Sequence, residues 1–355
     1  MTNSTAYHVQ TRTRASTAAG IAAGIIILVL IVLPAFASRG LIQDMFFILT
    51  MLVLAQFWNL LAGYGGLVSV GQQAFVGMGA YTLFGAAILW GIDPIWALPL
   101  GGLVALAVAV PTAFFVFRLQ GAYFAIGTWV VAEVVRLCVA QWKAVGGGSG
   151  TSLPRNVTGD MMGLTFVQDL FGVRAAAAAD IVTYWLALVL AVLTIGGIYW
   201  LLRTKSGLAL AAVRDNVEAA KALGVNAARM KWLVFLTASF GTGVAGALIY
   251  LQKGRISPDA AFSVNDWTAY VIFIVVIGGI GTIEGPIIGV IVFFLLQSFF
   301  ADFGAWYLMA LGALGIVIML FAPKGLWGLF SDKTNIQLFP IRRRLSGGII
   351  TQTEE

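Results

Sequence analysis

The chain has 355 residues, of which 60% are hydrophobic and only 10% charged, and its mean hydropathy is +0.94. An average soluble domain carries about 25% charged residues, so a soluble globule and a disordered chain are both excluded. The chain has a single cysteine, Cys138, which excludes a disulfide scaffold. It also has a single histidine, His8 in the N-terminal tail, so a metal site is hard to build from these two residues. The composition predicts an all-α polytopic membrane protein with about ten transmembrane helices.

Ten apolar runs follow one another along the chain, each bounded by charges or by Gly and Pro clusters. They cover residues 18–37, 41–61, 73–92, 95–117, 121–142, 181–202, 232–252, 266–283, 286–302 and 304–322. The runs lack the period-2 alternation of a membrane β-barrel. We therefore predict a cytoplasmic N-terminal tail at 1–17, a transmembrane domain at 18–322 and a cytoplasmic C-terminal tail at 323–355.

The first run has an alternative interpretation. It ends in Ala35-Phe36-Ala37, which is similar to a signal-peptidase site after a basic segment. The apolar stretch is nearer 20 residues than the usual 7–15, so we favour a retained helix.

Orientation follows from the basic residues. With the N-terminus in the cytoplasm, 14 Lys and Arg residues lie in cytoplasmic segments and six in outer segments. Short cytoplasmic loops carry an excess of Lys and Arg, so this orientation is predicted. The formal net charge of +6 reports this bias, and no basic stripe interleaved with aromatic residues indicates nucleic-acid binding.

A glycine cluster interrupts the end of the second run, where residues 63–71 contain four glycines. Such a segment is a poor continuous helix, and irregular backbone at membrane depth needs protein or a water-filled cavity to satisfy its polar groups. We expect four polar side chains to lie near a polar route, with an interfacial turn as the alternative. They are Asn59, Ser69, Gln72 and Gln73. A second cluster at 278–285 is a corresponding discontinuity, and such pairs often mark a transporter site.

Glu133 and Arg136 form the one oppositely charged pair well inside a predicted run. At i,i+3 they share a helical face and can neutralise each other. Ionisable residues inside a membrane are functional candidates, although here a structural ion pair is favoured over a proton relay. In the seventh run, a stripe of small residues at 241–247 predicts close helix packing, and Cys138 is expected in the core.

Two segments outside the runs are long. The outer one, 143–180, contains a glycine cluster at 146–150 that predicts a flexible loop. The inner one, 203–231, contains Asp215 three residues before Glu218, which predicts a capping box, and Gly224 at a helix C-terminus. A helix of about nine residues is marginal in water, so packing must hold it. An amphipathic connector on the inner leaflet is the alternative.

This inner segment resembles the EAA loop of permease subunits in ATP-binding cassette importers, through Glu218-Ala219-Ala220-x-x-x-Gly224. The resemblance implies a short coupling helix that sits in a groove of a cytoplasmic ATPase subunit. The implied coupling residues are Asp215, Asn216, Glu218, Ala219, Ala220 and Gly224. Sugar and metal importers often continue to I-x-L-P, where this chain has Val234-Phe235-Leu236-Thr237.

Four other stretches, 59–81, 120–136, 278–286 and 322–328, are similar to signatures of branched-chain amino acid permeases, and LivM-type permeases are the closest resemblance. The resemblance implies a bacterial inner-membrane heterodimer with a LivH-type permease, two ATPase subunits and a periplasmic solute-binding protein. ATP and Mg would be bound by the ATPases and no cofactor by this lipid-embedded chain, which has no G-x-x-x-x-G-K-S/T motif.

Two alternatives stay open beside a branched-chain or hydrophobic amino acid permease. A urea or short-chain amide permease shares much of the pattern. A stand-alone secondary transporter or channel would need more intramembrane ionisable residues than the chain offers. No catalytic constellation occurs, so we expect a transport subunit and no enzyme.

Overall fold

The fold is almost entirely helical in the computed structural model, which describes residues 8–10, 14–154, 157, 159, 161–300, 305–334, 338–340 and 344–346. The α-helices are α1 Arg14–Val32, α2 Arg39–Asn59, α3 Gln72–Trp90, α4 Pro94–Val116, α5 Ala122–Ala140, α6 Leu164–Phe171, α7 Ala175–Arg203, α8 Lys205–Asp215, α9 Val217–Ala222, α10 Ala227–Lys253, α11 Pro258–Ala261, α12 Tyr270–Gly278, α13 Glu284–Phe300, α14 Ala305–Phe321 and α15 Gly325–Thr334. The short strands are β1 His8–Gln10, β2 Thr151–Ser152, β3 Arg255–Ile256 and β4 Arg344–Ser346.

Nine helices within the described residues are long and apolar enough to cross a membrane. They are Ser16–Ala35, Arg39–Tyr64, Gln72–Trp90, Pro94–Val116, Ala122–Ala140, Ala175–Arg203, Ala227–Lys253, Pro258–Gly278 and Met309–Thr334. Helix α13 is a shorter apolar helix of 17 residues. The predicted all-α polytopic fold is confirmed.

Described residues near the two ends of the chain pair with each other. Strand β1 runs antiparallel to β4, with Val9 opposite Leu345. Counting α13 with the nine longer helices gives ten apolar helices among the described residues, which is the number that the composition predicts.

The centre of the fold is a close packing of α10 against α3 and α4. A Cβ atom placed on Gly246 would collide with the backbone of Val76, and one on Gly79 would collide with the carbonyl of Gly243. Small residues let helix backbones approach this closely, and dispersion contacts then replace the hydrophobic drive that lipid cannot supply. The packing role predicted for the stripe at 241–247 is confirmed.

At the end of the bundle opposite the glycine clusters, a buried carboxylate joins three helices. Asp180 of α7 is 6% exposed and accepts hydrogen bonds from Gln43 of α2 at 3.1 Å and Gln252 of α10 at 2.7 Å. It also forms an ion pair with Arg39. A buried charge is stable only when it is paired and hydrogen-bonded, and Asp180 meets both conditions.

Two expectations from the sequence need correction. Cys138 is exposed on α5 rather than buried in the core, because no other element of the described residues covers its face of that helix. The alanines at 175–179, which lie inside the predicted outer loop 143–180, form the first turn of α7. The flexibility of the glycine cluster at 146–150 stays a prediction; there, Gly147–Ser149 forms a 3₁₀ turn, and the following strand β2 pairs with β3.

Replacing Gly246 with Ala should lower the free energy of unfolding by about 1–3 kcal/mol, because α3 and α10 must separate to admit a methyl group. The matched control is Gly196→Ala on α7, where a Cβ atom meets nothing within 4 Å. The control should be neutral or stabilising by up to about 1 kcal/mol from helix propensity. Thermal unfolding of the detergent-purified protein measures both, and equal midpoints for the two variants would contradict the packing role.

Candidate functional site

The chain breaks its helical path between α2 and α3. Helix α2 continues into a π-helical turn, Leu60–Tyr64, and residues 65–71 then run without helical structure to the start of α3. The Trp58 indole donates to the Ser69 carbonyl at 2.8 Å, and the Gln72 amide donates to the Leu54 carbonyl at 2.9 Å. Residues 65–71 therefore double back along α2, and α3 starts beside Leu54, roughly 15 Å before the helix end at Tyr64.

The four polar side chains predicted around this break are all buried, at 0–2% exposure. Three of them bind backbone groups of the interrupted segments or side chains beside them. Asn59 donates to the Thr282 carbonyl at 2.7 Å, Gln72 reaches the carbonyl of Leu54 as described above, and Gln73 exchanges hydrogen bonds with Thr268. The fourth, Ser69, accepts from the Gly71 amide at 3.2 Å. Protein groups thus satisfy much of the irregular backbone.

One side of this returning segment is open. Val68 is 49% exposed, and the Val70 amide donates to the Thr128 hydroxyl of α5 at 3.0 Å. The segment therefore lies on the flank of the chain beside α5.

The second glycine cluster meets the first. The turn after α12 ends at Glu284, and the Gly281 amide donates to the Asn59 side chain at 2.8 Å. A Cβ atom on Gly63 would lie 2.5 Å from the Gly281 nitrogen, so only glycine permits this approach. We call this contact of Gly63 with Gly281, bridged by Asn59, the glycine junction.

Glu133 and Arg136 form the predicted ion pair, with Arg136 Nε 3.0 Å from both carboxylate oxygens of Glu133. Arg136 Nη1 also donates to Asp259 of α11 at 2.6 Å. Asp259 is 123 residues away in the chain, so no spacing pattern could reveal it. Among the described residues, no hydrogen bond joins this group to the glycine junction.

In the segment 203–231, the predicted helix is shorter and differently capped. The Asn216 side chain accepts from the Ala219 amide at 2.9 Å, while Asp215 ends α8 and pairs with Arg214 at 3.0 Å. The capping box on Asp215 is therefore wrong, because α8 extends to Asp215 and the chain turns at Asn216. Glu218 pairs with Lys221 instead of returning to the cap.

One face of helix α9 packs against neighbouring residues of the chain, and the opposite face is exposed. Ala220 is 1% exposed and packs with Val213 and Ala227 in a small separate core. Glu218 is exposed, and Leu223 is 81% exposed. Gly224 follows at φ +80°, which is the left-handed conformation predicted for it. Leu223 occupies one of the unspecified positions of the motif, so the motif gave no indication of its exposure.

Comparison with known proteins identifies the family. The family model for the branched-chain amino acid transport system permease component matches residues 40–322. The chain belongs to this family. The permease is 30% identical over 306 residues to the high-affinity branched-chain amino acid transport system permease protein LivM of Salmonella typhimurium and to that of Escherichia coli. Each match covers 82% of this chain and 71% of the relative.

A sugar transporter gives a shorter match. The xylose transport system permease protein XylH of Escherichia coli is 28% identical over 115 residues, covering 31% of this chain and 29% of the relative. No solved structure matches the permease. Membership of the permease family makes the chain a transport subunit.

Replacing Asn59 with Ala should destabilise the permease, because the Gly281 amide and the Thr282 carbonyl both lose their partner. Each buried backbone group left unsatisfied costs about 1–3 kcal/mol. Asn265→Ala, at an exposed position, is the control and should leave the thermal midpoint unchanged. An unchanged midpoint for Asn59→Ala in detergent would show that the bridge is unimportant.

Proposed function

We propose that the permease is one subunit of an ATP-binding cassette importer that carries branched-chain or other hydrophobic amino acids across a bacterial inner membrane. The observation that carries the substrate class is the match with LivM proteins over 82% of the chain. A second permease of the LivH type, two cytoplasmic ATPase subunits that bind ATP and Mg, and a periplasmic solute-binding protein complete the importer.

The energy enters through α9. A six-residue helix is unstable by itself, and the small core around Ala220 supplies the packing that holds it. Glu218, Ala219 and Leu223 are left exposed for a groove in the ATPase. In this proposal Asp215, Asn216, Ala220 and Gly224 shape and hold the coupling helix, while the exposed residues contact the partner.

The route for the substrate runs along the flank made by residues 65–71 and α5. Lipid cannot cover irregular backbone, and the half-exposed carboxylate of Glu133 would be costly in hydrocarbon. The second permease faces this flank across a water-filled space. Ser69, Gln72 and Gln73 support the backbone at mid-depth, Asn59 holds the glycine junction, and Glu133 with Arg136 lies nearer the periplasmic end.

The orientation places α9 and both tails in the cytoplasm. The excess of Lys and Arg supports this side for the 203–231 segment, and the pairing of β1 with β4 supports a common side for the tails. The segment between α5 and α7 then faces the periplasm, where the binding protein delivers its solute. ATP-driven closure of the ATPases shifts α9, and the helices alternate between outward-open and inward-open packings.

The complete importer in proteoliposomes should take up radiolabelled leucine only with ATP and the binding protein. Isoleucine and valine should compete strongly, and urea and polar amino acids weakly, because an apolar pocket rejects polar solutes. If urea competed and isoleucine and valine did not, the substrate would be urea or a short-chain amide in place of a branched-chain amino acid. Uptake by this chain without any ATPase would overturn the importer.

Glu218→Lys and Gly224→Val should each reduce co-purification of the ATPase and ATP-dependent uptake at least tenfold, while the chain still inserts in the membrane. The first reverses a charge on the exposed face of α9, and the second strains a backbone at φ +80°. The controls make the same kinds of change elsewhere: Asp332→Lys on α15, and Gly172→Val at φ +63° after α6. Full co-purification and uptake in both test variants would remove the coupling role from α9.

A further inference from the structure

One charged contact joins the α8–α9 corner to the glycine junction. Arg214, in the last turn of α8, donates from Nη1 to the carbonyl oxygen of Gly63 at 3.1 Å. Carbonyls in the last turn of a helix have no donor within that helix, so the guanidinium supplies one from outside. The sequence gives no hint of this contact, because the two residues are 151 positions apart.

The guanidinium lies where the two interrupted segments meet. A Cβ atom on Gly281 would be 3.6 Å from Arg214 Nη1, while Gly281 is held by Asn59 and touches Gly63. Arg214 therefore borders both sides of the glycine junction.

The same side chain is fixed to the start of α9. Asp215 accepts from Nε and Nη2 of Arg214, each at 3.0 Å, and the next residue, Asn216, caps α9. Only Asp215 thus lies between Arg214 and the cap residue Asn216 in the sequence. A displacement of α9 must also displace Arg214, because the backbone at Asn216 is already extended and cannot lengthen further.

The contact is also accessible enough to break and reform. The Arg214 side chain is 32% exposed and that of Asp215 is 66% exposed, so water can replace either partner. The ion pair of Arg214 with Asp215 is partly exposed to solvent, unlike a fully buried arginine pair. Lys221 and Arg229, the other cations around α9, make no side-chain contact with the junction among the described residues.

We propose that Arg214 is the positioning residue through which α9 holds and releases the glycine junction. While Arg214 binds the Gly63 carbonyl, α2 and the turn after α12 stay together and the cytoplasmic end of the route is closed. Movement of α9 withdraws the guanidinium and lets the two segments separate. This role rests on the proposed function, since it needs an ATPase that moves α9.

The test compares Arg214→Gln with Arg214→Lys and with Arg229→Gln. Arg229 is an exposed cation in the first turn of α10, and its replacement serves as the matched control. The complete importer carrying each variant is reconstituted with its ATPases, second permease and binding protein. ATPase co-purification, ATP hydrolysis with and without solute, and solute uptake are measured on the same preparation.

Arg214→Gln should keep its ATPases and hydrolyse ATP without solute faster than the unmodified importer. It should import at least tenfold fewer solute molecules per ATP hydrolysed, because the cytoplasmic end no longer closes in step with α9. Arg214→Lys, which keeps one charged donor, should recover part of that ratio, and Arg229→Gln should match the unmodified importer.

A purely structural Arg214 predicts another pattern. Assembly, hydrolysis and uptake would then fall together in Arg214→Gln, with an unchanged ratio of solute to ATP, and the positioning role of Arg214 would be overturned. An unmodified importer with no ATP-dependent uptake would overturn the proposed function itself. Normal uptake by the unmodified importer with an unchanged ratio in Arg214→Gln overturns the positioning role alone.

Discussion

A backbone amide or carbonyl inside a bilayer has no water to bind, so every interruption of a helix there must be satisfied by the protein. This permease interrupts two helices, after α2 and after α12, and brings the interruptions together. Asn59 bonds to both the amide and the carbonyl of the opposite turn, and Arg214 supplies a donor to Gly63. The architecture around the glycine junction follows from that requirement.

A second constraint applies to the surrounding helices: lipid gives no hydrophobic driving force for helix association. Helices α3, α4 and α10 pack through glycines, so their backbones touch over a long contact. Two charged groups away from the glycine junction are paired: Asp180 accepts from several donors, and Arg136 joins two carboxylates.

Local features were predictable where one short stretch of sequence decides them. The runs of apolar residues gave the helices, the small residues at 241–247 gave the tight packing, and Gly224 gave the left-handed helix end. The capping residue was wrong by one position, since Asp215 and Asn216 are both good caps and the end of α8 selects between them. The burial of Cys138 was wrong because α5 has an open face that its own sequence does not mark.

By itself, the sequence determined the membrane class, the apolar helices and a short helix within residues 203–231, because hydrophobicity, helix length and turn chemistry are properties of neighbouring residues. Only the tertiary structure decided that residues 65–71 fold back along α2 to the level of Leu54, that the two glycine clusters touch, and that Arg136 reaches Asp259 and Arg214 reaches Gly63. Each of these contacts joins residues on different elements of the chain. Their partners are selected by helix packing in three dimensions, and no spacing in the sequence records that choice.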